Sequence, residues 1–214
     1  MKKSIAVLGL GKYGRSLAES LYAMGMDVLV ADKDEERIKE FAAKATVAVC
    51  ADLEDESVVK ELGLKNMDIV VIAMGSNLGA SIMAVAVAKE QGVPFVMAKA
   101  SSERMASILS KVGVDKIVDP EGESGMRTAR VLTSTSYLDF FNVDDNLCMV
   151  EMNPKDKWVG KSIKTLNLRK LYNLNVVAMK KKSGAWSFVD PDAELTKDIT
   201  LLIALEKKDL KRIQ

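Results

Sequence analysis

Apolar runs and helix-period segments alternate through the first 133 residues. Ile5-Ala6-Val7-Leu8 is an unbroken apolar run, which predicts a strand buried on both faces. Across residues 13–24, Leu17, Leu21 and Met24 recur at spacings of four and three, the period of a helix face, and Gly25 stops the pattern. Val28-Leu29-Val30-Ala31 is the next strand. Asp34 is placed to cap a helix whose apolar face holds Ile38, Phe41 and Ala42. The alternation continues with a strand over 46–50 and a helix over 55–62. Strands over 68–73, 95–97 and 117–118 are each followed by a helix, over 78–91, 102–112 and 122–132. Six such units at close spacing predict a parallel sheet with helices on both faces, and right-handed crossovers restrict it to the doubly wound type.

The pattern changes at Thr133-Ser134-Thr135-Ser136, a polar break. Beyond it come short strands: a mixed, edge-like one over 147–152, then 175–179, 186–189 and 199–204. Lys181-Lys182-Ser183-Gly184 reads as a hairpin turn, and residues 166–171 fit a short helix. The fold class is therefore α/β, a doubly wound parallel-sheet domain over 1–134 followed by a small α+β domain over 135–214. A unit of that size buries a limited fraction of its surface, so dimerisation is a natural way to complete it.

Residues 69–88 carry no charge and have the length of a membrane span. Gly75-Ser76-Asn77 divides them into a β-branched half and an Ala- and Met-rich half, which fits strand, polar loop and buried helix better. The N-terminus lacks the long apolar core and small-residue cleavage site of a signal peptide. Hydrophobic residues are 48% and charged residues 29% of the 214, and the net charge is +1, so disorder and a dedicated nucleic-acid binder are excluded. Residues 135–214 hold 14 Lys and Arg against 11 Asp and Glu, too mild an excess for a polyanion partner. The two cysteines, Cys50 and Cys148, each have apolar neighbours and are expected to be reduced and buried in strands, as in a cytosolic protein. Histidine is absent, which removes His-based acid–base and nucleophilic catalysis and imidazole zinc sites.

The chemistry begins at Gly9-Leu10-Gly11-Lys12-Tyr13-Gly14, a GxGxxG that follows a buried strand and opens a helix, with Asp32 closing the second strand. In that context the motif is the Rossmann dinucleotide-binding fingerprint. Gly9 permits the tight turn, Gly11 lets backbone approach a phosphate, and Gly14 lets the helix pack close. Asp32 accepts from ribose hydroxyls and repels a 2′-phosphate, which disfavours NADP. Other strand ends line the same crevice: Asp52 and Leu53, then Ala73, Met74 and Gly75, then Lys99, then Glu121. No Tyr-x-x-x-Lys accompanies them. A nucleotide sensor explains these absences better than a small NAD-dependent oxidoreductase, which stays the alternative.

Gly9 to Gly14, Val30-Ala31-Asp32, Gly75-Ser76-Asn77-Leu78-Gly79-Ala80-Ser81, Ala98-Lys99-Ala100 and Val118-Asp119-Pro120-Glu121 together resemble the RCK (KTN) domain of Trk and Ktr potassium transporters and of some potassium channels. Trp158 to Ile163, Leu166-Asn167-Leu168-Arg169 and Asp190 to Leu195 with Asp198 resemble the C-terminal domain of the same family, closest to the Ktr-type cytosolic subunit. The resemblance implies a cytoplasmic, non-enzymatic regulatory subunit, attached to the inner face of the cell membrane through a potassium-translocating subunit. It also implies homodimers assembled into an octameric ring, with ATP, ADP or NAD(H) in the crevice. Glu121 matches an acidic residue near a divalent cation, Mg²⁺ or Ca²⁺. Lys12 stands where Ktr relatives carry an arginine that helps read the γ-phosphate. Ile163, Arg169 and Asn175 lie in the region that binds cyclic di-AMP in several relatives.

Overall fold

The computed structural model describes residues 2–181 and 184–213. They divide into two compact units, Met1–Gly122 and Glu123–Gln214.

The first unit alternates strand and helix as the hydrophobic pattern predicts. Its elements are β1 Ser4–Leu8, α1 Lys12–Ala23, β2 Asp27–Asp32, α2 Glu35–Phe41, β3 Val47–Cys50 and α3 Glu56–Glu61, then β4 Ile69–Ile72, α4 Leu78–Glu90, β5 Phe95–Lys99, α5 Glu103–Val112 and β6 Lys116–Val118, with α6 Pro120–Thr133 beginning at its end. All pairings are parallel and the strand order is β3-β2-β1-β4-β5-β6, the doubly wound arrangement. Alternate residues of β1 feed opposite faces. Ala6 and Leu8 join the core that β4, α4 and α5 complete, while Val7 joins Val30, Ala18 and Phe41 on the other side. Burying a side chain such as Leu8 contributes roughly 2 kcal/mol. The register brings the carboxyl ends level: Leu8 stands opposite Ala31 and Ile72, and Ile72 opposite Ala98.

The uncharged stretch over 69–88 is β4, a loop and most of α4, and among the described residues no helix is long and apolar enough to cross a membrane. Ala80, Ala84, Val85 and Ala88 of α4 are buried, and the helix contacts β4, β5, α3 and α5. A helix apolar all round belongs in such a setting.

The second unit is a five-stranded antiparallel sheet in the order β10-β9-β11-β8-β7. Its strands are β7 Asp139–Asn142, β8 Leu147–Met152, β9 Leu174–Lys181, β10 Ser187–Phe188 and β11 Ile199–Glu206, with short helices α7 Ile163–Leu166 and α8 Leu168–Tyr172. Phe140, Val150, Trp158, Leu201, Ile203 and Leu205 form its core, and Trp158 meets Tyr172 edge-on at 5.7 Å.

Three expectations are corrected, on the strand over 147–152, the helix over 166–171 and Cys50. β8 is an inner strand, because β7, too short and polar-flanked to show in the pattern, pairs with its outer side. The single helix over 166–171 is two, divided at Asn167, which adopts the left-handed conformation at φ 45°. Cys50 is exposed, because β3 is an edge strand; Cys148 is buried as expected. The proposed turn at 181–184 includes Lys182 and Ser183, which lie outside the described residues. The units divide at 122/123, inside α6 and before residue 134, and Val131 near the end of that helix packs on the second core.

Candidate functional site

The four helices α2 to α5 begin with side-chain caps: Asp34, Asp55, Asn77 and Ser102 each accept from backbone N–H groups of the first turn. Helix α1 begins differently. Its N-cap is Gly11, which supplies no side-chain acceptor, and its first turn holds no acid. N–H groups at a helix start need acceptors, and the partial positive charge there favours an anion.

The glycines fix that geometry. Gly9 sits at φ +99°, and a Cβ on it would stand 2.7 Å from Met74 Cγ. A Cβ on Gly14 would stand 2.0 Å from the Gly9 carbonyl oxygen, so only glycine allows α1 to press on the end of β1. A Cβ on Gly11 meets nothing within 4 Å, which leaves a free approach to the backbone there.

The buried Asp32 carboxylate braces the turn. Its Oδ2 accepts the Leu10 N–H at 2.5 Å and lies 3.5 Å from Arg37 Nη1; its Oδ1 accepts the Asp34 N–H at 3.0 Å. Each carboxylate oxygen has two lone pairs, so capacity for a ligand hydroxyl remains.

These groups border a cleft of about 710 Å³ at the carboxyl ends of the strands, within the first unit. That is the size of a small-molecule site. Gly9, Gly11, Asp32, Asp52, Leu53, Ala73, Met74, Gly75, Lys99 and Glu121 all line it, as the motif and strand ends predict. Leu10 and Gly14 are buried beneath the walls, and Tyr13 packs against the core of α1 and α2. Lys12 is exposed on the first turn of α1, outside the lining, so the structure does not place the expected phosphate-reading cation in the cleft wall.

Lys33, Arg37, Glu54, Asn77 and Ser101 also line the cleft without belonging to a site motif, and Asp119 lies in the strand-end segment that leads to Glu121. Lys33 and Arg37 follow Asp32, one and five positions on. Asn77 donates from Nδ2 to Glu54 Oε1 at 2.7 Å while its Oδ1 caps α4 at the Ala80 N–H, and Lys33 Nζ lies 3.6 Å from the same Glu54 oxygen. Ser101 Oγ donates to the Gly75 carbonyl at 2.6 Å, and Asp119 accepts the Gly122 N–H at 3.0 Å. The available signal was the polar capping residue ahead of an apolar helix at Asn77.

On the far side Lys99 Nζ pairs with Glu121 Oε1 at 2.5 Å, a hydrogen bond that holds the Glu121 carboxyl below the usual carboxylate range. Among the described residues no three Asp, Glu or Cys side chains gather as a metal cage. The second-ligand candidates lie elsewhere. Ile163 packs on the second unit's core, and Arg169 and Asn175 are exposed on α8 and β9; none lines the cleft.

A doubly wound parallel sheet with an open glycine turn, an uncapped helix start and an acid at the end of β2 is a Rossmann-type unit. The TrkA-N domain family matches residues 5–120 and the TrkA-C domain family residues 147–214. The Ktr system potassium uptake protein C of Bacillus subtilis (strain 168) is 38% identical over 181 residues, 85% of this chain and 82% of the relative. The Ktr system potassium uptake protein A of the same strain is 32% identical over 212 residues, 99% of this chain and 96% of the relative. The GsuK channel bound to NAD superposes with a TM-score of 0.68 at 16% identity, covering 98% of this chain and 38% of that one. The chain thus belongs to the TrkA-N/TrkA-C family of potassium uptake proteins.

Proposed function

We propose that this chain is a nucleotide-gated regulatory subunit of a potassium uptake system of the Trk/Ktr kind. It binds ATP, ADP or NAD(H) in the cleft of the first unit and acts on a membrane potassium-translocating subunit by changing the geometry of a ring. The ring is built from homodimers, eight chains in all, held at the cytoplasmic face of the membrane. The observation that carries the reading is the uncapped start of α1 opening on the cleft beside Asp32. Phosphates take N–H groups at the start of α1, which no side chain caps, and the ribose takes the spare lone pairs of Asp32. The potassium uptake relatives supply the physiological context, and a channel of this fold bound to NAD supports the choice of ligand.

The chain binds rather than catalyses, in keeping with a sequence that has no histidine. Glu121 would lend its carboxylate to Mg²⁺ or Ca²⁺, which neutralises phosphate charge. Cyclic di-AMP is the ligand proposed for the second unit, through Ile163, Arg169 and Asn175, all inside the TrkA-C match.

The test is mass spectrometry of small molecules released from the purified, denatured chain, with light scattering of the native protein. The reading expects an adenine nucleotide and a mass that is a multiple of 23.4 kDa. No nucleotide retained or bound on titration, with 23.4 kDa at every concentration, contradicts it.

A further inference from the structure

The sheet of the second unit ends in β10, Ser187–Phe188, where Ser187 stands opposite Met179 and Phe188 opposite Ala178 of β9. Phe188 is 92% exposed, the most exposed large apolar side chain among the described residues. Trp186, two positions before it, is 39% exposed, and so is Val177 on β9. A single exposed leucine needs no explanation. A tryptophan and a phenylalanine exposed together on one sheet edge mark a contact surface.

The charge of this hairpin says what it contacts. The excess of Lys and Arg over 135–214 is mild, but it is unevenly spread: residues 174–189 carry Lys180, Lys181 and Lys182 and no acid. Lys180 Nζ lies 4.5 Å from the centre of the Trp186 ring and 2.6 Å from Glu151 Oε1, across the sheet. Lys181 is exposed, and Asp198, bound to the Thr196 hydroxyl, lies within its field. Beside the hairpin a cavity of about 280 Å³ is lined by Met179, Ala185 and Ile199 together with Lys180 and Lys181. Apolar surface and ammonium groups thus lie side by side along the whole edge.

Protein interfaces gather aromatic residues but are depleted of lysine. Aromatic rings among lysines, in a segment without acids, are instead the composition that settles at the headgroup level of a bilayer. There the rings enter the acyl boundary while lysine stems lie along apolar surface and their ammoniums meet phosphates. We propose that the β9–β10 hairpin is a contact site for an anionic lipid bilayer, in which Phe188 and Trp186 enter the acyl boundary and Lys181 meets the lipid phosphates. One such anchor holds weakly and reversibly, and chains that associate present several to one surface. The hairpin lies in the second unit, so its role does not depend on what the cleft of the first unit binds.

The test is flotation of the full chain with vesicles of phosphatidylcholine alone and of phosphatidylcholine mixed with phosphatidylglycerol, with tryptophan emission read on the same samples. The other tryptophan, Trp158, is 1% exposed, so a shift reports Trp186. The chain should partition onto the anionic vesicles at least about tenfold better than onto the neutral ones, with its emission moving to shorter wavelength. Phe188→Ser should lower that partitioning about tenfold, the worth of one buried aromatic ring, and Lys181→Gln about fivefold. Both side chains are exposed, so both variants should melt with the parent. No flotation with anionic vesicles, equal flotation with neutral ones, or a Phe188→Ser chain that partitions as the parent does overturns the proposal. A Phe188→Ser chain that floats like the parent but shows a lower mass by light scattering overturns it in favour of a second copy at this edge.

Discussion

In the first unit every strand runs the same way, and the loops that leave β1 to β6 gather at one edge of the sheet. In the second, neighbouring strands run oppositely, so the strand ends are shared between two edges. The parallel topology converts six short, separate loop segments into one cleft. The antiparallel sheet brings no such convergence to Ile163, Arg169 and Asn175, which sit on three elements, the first half-buried and the other two exposed. A ligand site in the first unit follows from the path of the chain, whereas one in the second unit must rest on side chains alone.

The sharpest way to break this contrast is at the glycine turn. Gly14→Val forces a side chain onto the Gly9 carbonyl, 2.0 Å from the new Cβ. Overpacking against backbone costs about 3 kcal/mol or more. A denaturant melt of the variant should show that loss, with nucleotide binding abolished; an unchanged midpoint refutes the packing role.

Next comes Asp32. Asp32→Ala leaves the buried Leu10 N–H unpaired, at a cost of about 1–3 kcal/mol in stability, and weakens nucleotide binding by about 1.5–3 kcal/mol. Asp32→Asn keeps an acceptor for Leu10 but sets its amide N–H₂ against the Asp34 N–H, so it should recover part of the stability and little of the affinity. Paired melts and titrations check this; equal recovery of both would mean the carboxylate only braces the turn.

For the second unit, Arg169→Ala should weaken cyclic di-AMP binding about tenfold, the value of one charged hydrogen bond, while the ATP titration stays as in the parent. Unaltered cyclic di-AMP binding removes Arg169 from that site.

The smallest effect concerns pH. Asp115 accepts from Lys89 Nζ and from the Val96 N–H, and both hold its carboxyl below the usual range, Lys89 most. In the second unit Arg127 does the same for Asp139. A carboxylate with a depressed folded value contributes stability above its unfolded value, about 3.9, and loses it as pH falls through the folded value. Asp115→Asn and Asp139→Asn should therefore each lower stability at pH 7 by about 1 kcal/mol or less, the gap closing as the solution is acidified below that value. Thermal melts across pH measure it; a gap that widens in acid contradicts the assignment.

The first unit was legible because burial on both faces writes its strands as plain apolar runs, as at Ile69–Ile72, and because Gly9, Gly14 and Asp32 serve needs local to one turn. The bracing of Leu10 by Asp32, the Glu54–Asn77 bond and the Lys99–Glu121 pair join loops 22 or 23 residues apart in the chain, and no local pattern encodes them. In the second unit β7 carries no clear strand pattern, because Asp139 and Asn142 flank only two aromatic residues. Asn167 hides a helix break inside a helical pattern, since asparagine enters the left-handed region at modest cost.

Central to this account is that the open start of α1 receives a nucleotide phosphate. Gly11→Ala tests it most directly, because a Cβ there meets no protein atom within 4 Å and the backbone, at φ −65°, suits alanine. The chain should melt within about 1 kcal/mol of the parent, the usual cost of alanine at an N-cap. Calorimetric titration with ADP should show binding to the parent and a loss of at least about tenfold in the variant, as the methyl group occupies the phosphate's approach. A variant that folds and binds ADP as the parent does would contradict the account.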